Sequence, residues 1–96
     1  MTARRIQRRR TAGWRMPAGA IYVGRPTRWG NRFGQDRTTE SRAGAVHLFR
    51  LWVADHPEYA DAVRAELAGK TLACWCPLDQ PCHADELLRI ANEVAQ

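Results

Sequence analysis

Thr71-Leu72-Ala73-Cys74-Trp75-Cys76, followed by Pro77-Leu78-Asp79-Gln80-Pro81-Cys82-His83-Ala84-Asp85, is the stretch on which the fold turns. The first six residues form a short apolar run with the length and composition of a buried strand. Pro77 to Pro81 then read as a tight connection. From His83 to about residue 95 the apolar positions Leu87, Leu88, Ile90, Ala91 and Val94 recur at helical spacing, which predicts a final helix. Upstream, Ala20-Ile21-Tyr22-Val23 is a second short β-branched and aromatic run, closed by Gly24. Between the two strands lie two helical patterns. Ala45, Leu48, Phe49, Trp52 and Val53 form one face of a helix expected to begin near residues 38–40, with Thr39 or Ser41 as N-cap. Tyr59, Val63 and Leu67 form the stripe of another, with Pro57 as its first residue and Gly69 at its C-terminal end. Strands separated by helices favour parallel pairing through crossovers. The expected fold is a small single α/β domain, with a short, mainly parallel sheet flanked by about three helices. It should occupy residues 18–96, behind a basic Arg-rich segment over residues 1–17 that reads as a flexible arm or a short edge strand.

Ninety-six residues with 45% hydrophobic content suit one modest core. No apolar run approaches the roughly 18 residues needed to span a bilayer, so no membrane insertion is expected. The basic N-terminus lacks the apolar run of a secretory signal, and export is not expected. Three Cys within nine positions make a poor disulfide framework and point to a reducing cytoplasm. The formal charge of +5 is unevenly placed. Residues 1–42 hold eleven Arg against Asp36 and Glu40, a net +9, whereas residues 43–96 hold four cations against eight acids, a net −4. A basic half of this kind attracts phosphates, and Arg4, Arg5, Arg8, Arg9 and Arg10 are candidate nucleic-acid contacts. A coding bias toward Arg accounts for the same composition without any such role.

The Cys-rich stretch reads C-x-C-x5-C-H. On a strand, Cys74 and Cys76 face one side and Trp75 the other. Cys82 and His83 fall at a helix start, where the dipole and free N–H groups favour a thiolate or a bound anion. Three readings stand side by side. Cys74, Cys76, Cys82 and His83 have the count of a Cys3His zinc site, although the spacing departs from the usual pairing of ligands. Cys82 and His83 could instead form a catalytic or binding pair, with Cys82 as nucleophile and His83 as acid/base. Or the cysteines are small core hydrophobes.

Gly24-Arg25-Pro26-Thr27-Arg28-Trp29-Gly30-Asn31-Arg32-Phe33 starts where the first of those strands ends. Glycine permits close backbone approach, Arg clamps anions, an aromatic ring stacks on a base, and Asn both donates and accepts. Arg25, Thr27, Trp29, Gly30 and Asn31 are therefore candidate ligand contacts, joined by Cys76 and Asp85 from the other loop. The alternative is that Trp29 and Phe33 plug the core and Gly30-Asn31 is a turn. No Walker signature follows. His47 reads as a partly buried structural residue and His56 as a solvent or capping residue.

Tyr22-Val23-Gly24-Arg25-Pro26, Trp29-Gly30-Asn31, Gly69-Lys70, Cys74-Trp75-Cys76 and Pro81-Cys82-His83-Ala84-Asp85 together resemble the domain-of-unknown-function family DUF4326, over roughly residues 18–95. The resemblance implies a small phage or bacterial domain, cytoplasmic in its bacterium or in a phage's host, and brings no reaction with it. The family usually reads Gly-Asn-Pro-Phe; here Arg32 replaces that proline, which loosens the loop and adds a charge.

Ligands gather at the C-terminal ends of parallel strands, and both loops begin at such ends. The leading expectation is one composite pocket that binds or processes a nucleotide or nucleic acid. Its rivals are a metal-stabilised nucleic-acid-binding module that uses the Arg arm, with zinc as the metal, and a protein-interaction factor.

Overall fold

The computed structural model describes residues 3–33 and 41–93. Three strands and three helices appear in the order β1 (Arg5–Gln7), β2 (Ile21–Tyr22), α1 (Arg42–Ala54), α2 (Pro57–Leu67), β3 (Leu72–Cys74) and α3 (His83–Ala91). The sheet runs β1-β3-β2 and is parallel throughout, with Arg5 and Ile21 both in register with Leu72. The expected α/β architecture is therefore present, and the Arg-rich segment supplies an edge strand at Arg5–Gln7. Backbone bonds extend the pairing beyond the strand ends. Arg8 N–H donates to the Cys74 carbonyl (2.8 Å) and Val23 N–H to that of Ala73 (2.9 Å). All three residues of β3 are buried, as a central strand covered on both faces requires.

Each helix has a local cause. Ser41 caps α1 by accepting the Gly44 N–H at 3.0 Å, so the helix starts at Arg42; residues 38–40, where an earlier start was expected, lie outside the described residues. Phe49 and Val53 are its buried positions. Pro57 occupies the first turn of α2, where its missing N–H costs nothing. Before it, His56 holds its Nδ1 2.6 Å from the Trp52 carbonyl and stacks on the Trp52 ring. His47 is exposed, contrary to the sequence expectation, because the buried face of α1 centres on Phe49 and Val53. Gly69 takes the left-handed conformation (φ +74°) after α2, and its N–H donates to Asn92 Oδ1 at 2.9 Å. On α3, Leu87, Ile90 and Ala91 are buried; Val94 lies outside the described residues. Among the described residues no helix is long and apolar enough to cross a membrane.

The core joins Val23, Phe49, Val63, Leu67, Leu72 and Leu87. Tyr59 sits at its margin, edge-on to Trp29 and Phe49. Burial raises the Tyr59 phenol from 10.0 to about 12, against the opposing pull of Arg28 and Arg32. The unfolded phenol ionises near its ordinary value while the folded one stays protonated. The resulting stabilisation is complete below pH 10, declines above it and is gone once the pH passes about 12. An alkaline titration followed by tyrosinate absorbance should show one of the two tyrosines ionising late, and Tyr59→Phe should delete that late phase. A late phase that survives in Tyr59→Phe would overturn the assignment.

Candidate functional site

Because the sheet is parallel, the segments that leave its three strands emerge along one edge. Arg8, Gly24-Arg25 and Trp75-Cys76 meet there, and α1 and α3 point their N-terminal ends at the same place. A cleft of about 720 Å³ results, lined among others by Tyr22, Arg25, Asn31, Phe33, Arg42 and Trp75, with Cys74, Cys76, Cys82 and His83 at its base. Residues of both loops singled out in the sequence line this one cleft.

Cys82 is the N-cap of α3, with extended backbone (φ −147°, ψ 144°) and no side-chain capping bond. Its Sγ turns back to lie 3.6 Å from Nδ1 of His83, the first residue of the helix. The other ring nitrogen, Nε2, is 2.7 Å from the Val23 carbonyl at the end of β2. A carbonyl can only accept, so Nε2 carries the proton and Nδ1 presents a lone pair to the sulfurs. The Phe49 ring, 5.5 Å away and nearly perpendicular, holds the imidazole on its other side. Cys74 Sγ lies 3.8 Å from Cys76 Sγ, and the three cysteines are free thiols.

Crowding sets how these thiols ionise. The polar Cys82 thiol beside Cys74 outweighs burial and holds Cys74 down near a pKa of about 5. The proximity of Cys74, with burial, pushes Cys82 up. The helix start was expected to favour a Cys82 thiolate; with Cys82 only 2% exposed and next to Cys74, the opposite holds. His83 is placed as a base toward Cys82, but the sulfur it faces resists ionisation.

The Gly-Arg-Pro loop is held from within. Thr27 donates its hydroxyl to the Gly24 carbonyl (2.6 Å), and Tyr22 donates its own to the Arg25 carbonyl (2.8 Å). Asn31 donates to the Ala45 carbonyl (3.1 Å) and accepts the Phe33 N–H (2.9 Å), which ties the loop to α1. A Cβ at Gly30 would lie 3.0 Å from the Arg25 backbone, so glycine is needed for that close approach. Trp29 is 6% exposed and packs edge-on to Tyr59 in the core, outside the cleft lining. Arg32 lays its guanidinium on the Trp52 ring, 4.2 Å from its centroid.

Of the expected ligand contacts, Arg25, Asn31 and Cys76 line the cleft, whereas Thr27, Trp29 and Gly30 support the loop behind it. Asp85 also stays outside. It pairs with Arg5 at 3.1 Å, and Arg5 further donates to the carbonyls of Pro77, Leu78 and Gln80. With its side chain 8% exposed, Arg5 clamps the edge strand to the loop before α3. Arg4 and Arg9 are exposed. Arg8 lies between the rings of Tyr22 and Trp75, and Arg10 also covers Trp75.

Sequence reasoning missed Tyr22, Phe33, Arg42 and Trp75 as cleft residues. Trp75 was expected on the face opposite the cysteines, but β3 ends at Cys74 and strand alternation stops with it. The basic first turn of α1 at Arg42 was the one available signal for that helix, since helix starts are used for anions.

The DUF4326 family model, described as a domain of unknown function, matches residues 6–93. The chain belongs to the DUF4326 family. The match begins inside β1 and ends after α3, so the matched stretch takes in part of the edge strand and both loops. No curated protein and no solved structure matches this DUF4326 domain.

Proposed function

We propose that the cleft of this DUF4326 domain binds a phosphate-bearing aromatic ligand, a nucleotide taken free or as a unit of a nucleic acid. The observation that carries the reading is the lining itself. Arg25 and Arg42 line the cleft together with the aromatic residues Tyr22, Phe33 and Trp75, and no carboxylate lines it among the described residues. A guanidinium pairs with phosphate through its planar fork, and an aromatic face accepts any base. Two further features support an anion. The α3 N-terminus opens on the cleft without a side-chain cap. Arg8 Nε is buried without an acceptor among the described residues, on a guanidinium stacked against two cleft rings.

Nucleosides, mononucleotides and short single-stranded oligonucleotides should be titrated in parallel by calorimetry and tryptophan fluorescence. Phosphorylated ligands should bind at least about tenfold tighter than the matching nucleosides, equal to about 1.4 kcal/mol. Arg25→Ala with Arg42→Ala should remove that preference while the circular dichroism stays unchanged. Equal affinity for nucleosides and nucleotides, or an unaltered preference in the double variant, would overturn the reading. Oligonucleotides that bind more tightly than mononucleotides, with a steep salt dependence, would identify nucleic acid as the source of the unit.

A further inference from the structure

We propose that Cys74, Cys82 and His83 bind a zinc ion whose fourth coordination position faces the cleft. The inference rests on the donor atoms alone and stands whether or not the cleft takes a nucleotide.

The ligand atoms of these three buried residues lie within 4.8 Å of one another. Tetrahedral zinc has Zn–S bonds of about 2.3 Å and Zn–N bonds of about 2.0–2.1 Å, which separates a sulfur from a nitrogen ligand by about 3.6 Å. Cys82 Sγ and His83 Nδ1 are 3.6 Å apart, already at that edge length. Adjacent residues rarely reach one ion, and here a backbone break makes it feasible. Cys82 is extended while His83 is the first helical residue, so the two side chains converge instead of diverging.

The orientation of His83 is the second observation. Metal-bound imidazoles usually donate their other N–H to a carbonyl or carboxylate, which fixes the tautomer and aims the lone pair. The Val23 carbonyl does this for Nε2 at 2.7 Å. Cys74 ends β3 and Cys82 opens α3, so both sulfurs and the nitrogen sit on regular elements that hold them in place.

Cys76 is the neighbour that separates two kinds of site. Its Sγ is 3.8 Å from that of Cys74, yet it falls outside the close group of three, and its side chain is half-buried on the cleft side. Three protein ligands and one open position are the arrangement of sites where a zinc ion meets water or substrate; four protein ligands make a closed structural site. The geometry points to the open kind, with the free position directed at the same volume as Arg25 and Arg42. The ligand class is therefore an oxygen donor, water or an anion, arriving from the cleft.

The full chain, purified without a chelator or a histidine tag, should carry one zinc per chain by native mass spectrometry. Chelation followed by titration with Co(II) should give the intense visible absorption of a four-coordinate, thiolate-ligated ion. Cys74→Ser, Cys82→Ser and His83→Gln should each lower metal affinity at least about tenfold, in line with loss of a ligand. Cys76→Ser should keep stoichiometric metal. Azide or cyanide added to the Co(II) form should shift its visible spectrum in wild type and in Cys76→Ser. Loss of metal in Cys76→Ser, with a wild-type spectrum blind to added anions, would overturn the open site in favour of a closed four-ligand one. Folded wild-type protein that takes up neither zinc nor Co(II) would overturn the metal centre altogether. Nucleotides are absent from every step, so failure here leaves the cleft's ligand preference to its own titrations.

Discussion

Replacing Phe49 with alanine should lower the unfolding free energy by about 3–5 kcal/mol, the usual cost of emptying a buried aromatic position. Phe49 is 2% exposed and touches rings from three directions: Trp52 at 6.4 Å, Tyr59 at 6.2 Å and His83 at 5.5 Å. A domain of this size has a total stability of only about 5–15 kcal/mol, so the substitution removes a large share of it. Urea unfolding followed by circular dichroism measures the effect as a fall in midpoint. Phe49→Leu fills much of the same volume and should cost far less. Because the ring also walls in the imidazole, Phe49→Ala should release His83 and weaken whatever the site binds, beyond its effect on stability. A loss below about 1 kcal/mol would mean that the ring does not fill a packed site.

Arg5→Ala should cost about 2–3 kcal/mol, far more than the loss of an exposed cation such as Arg64. The reason is connectivity. One guanidinium reaches Asp85 on α3 (3.1 Å) and the carbonyls of Leu78 (2.9 Å), Gln80 (3.1 Å) and Pro77 (3.4 Å), joining the edge strand to the loop that carries Cys82. Some of those carbonyls can turn to water, which keeps the cost below that of a fully buried pair. Arg5→Lys keeps the charge but loses the fork, and should recover only a small part. Arg64→Ala is the control. Its pairs with Asp61 and Glu93 are exposed, and removing them should change stability by less than about 0.5 kcal/mol. Equal effects at Arg5 and Arg64 would mean that the Arg5 contacts are ordinary surface pairs.

The helices and two of the strands were legible because each carries a period or a stop of its own: the stripe on α1, Pro57 before α2, Gly69 after it, and the apolar run into Cys74. Strand β1 was harder to read. Arg5-Ile6-Gln7 has one apolar residue, and its strand character comes from pairing with Leu72–Cys74, a partner far along the chain. The convergence of two loops into one cleft was readable from parallel topology alone. Which residues in those loops face outward was not. A loop tryptophan serves equally as a stacking platform or a core plug, and what decides for Trp29 is the proximity of Tyr59 on α2. Asn31 likewise has the valences to read a base, and the Ala45 carbonyl and Phe33 N–H already take one donor and one acceptor of them. Arg5 counted as one charge among many until Asp85 and three carbonyls met it from the opposite end of the sequence.

The central strand of the sheet is also the last to leave the ribosome. Strands β1 and β2 belong to the first 22 residues, and neither pairs with the other; both wait for Leu72–Cys74. Until then the nascent chain carries two unpaired strand edges and a run of arginines, with helices α1 and α2 the only elements able to form. Sheet closure is thus a late event of high contact order, and it brings the ends of all three strands to one edge. A chain stalled before β3 would hold most of the domain's length, with Arg25, Phe33 and Arg42 of the cleft but none of Cys74, Cys82 and His83.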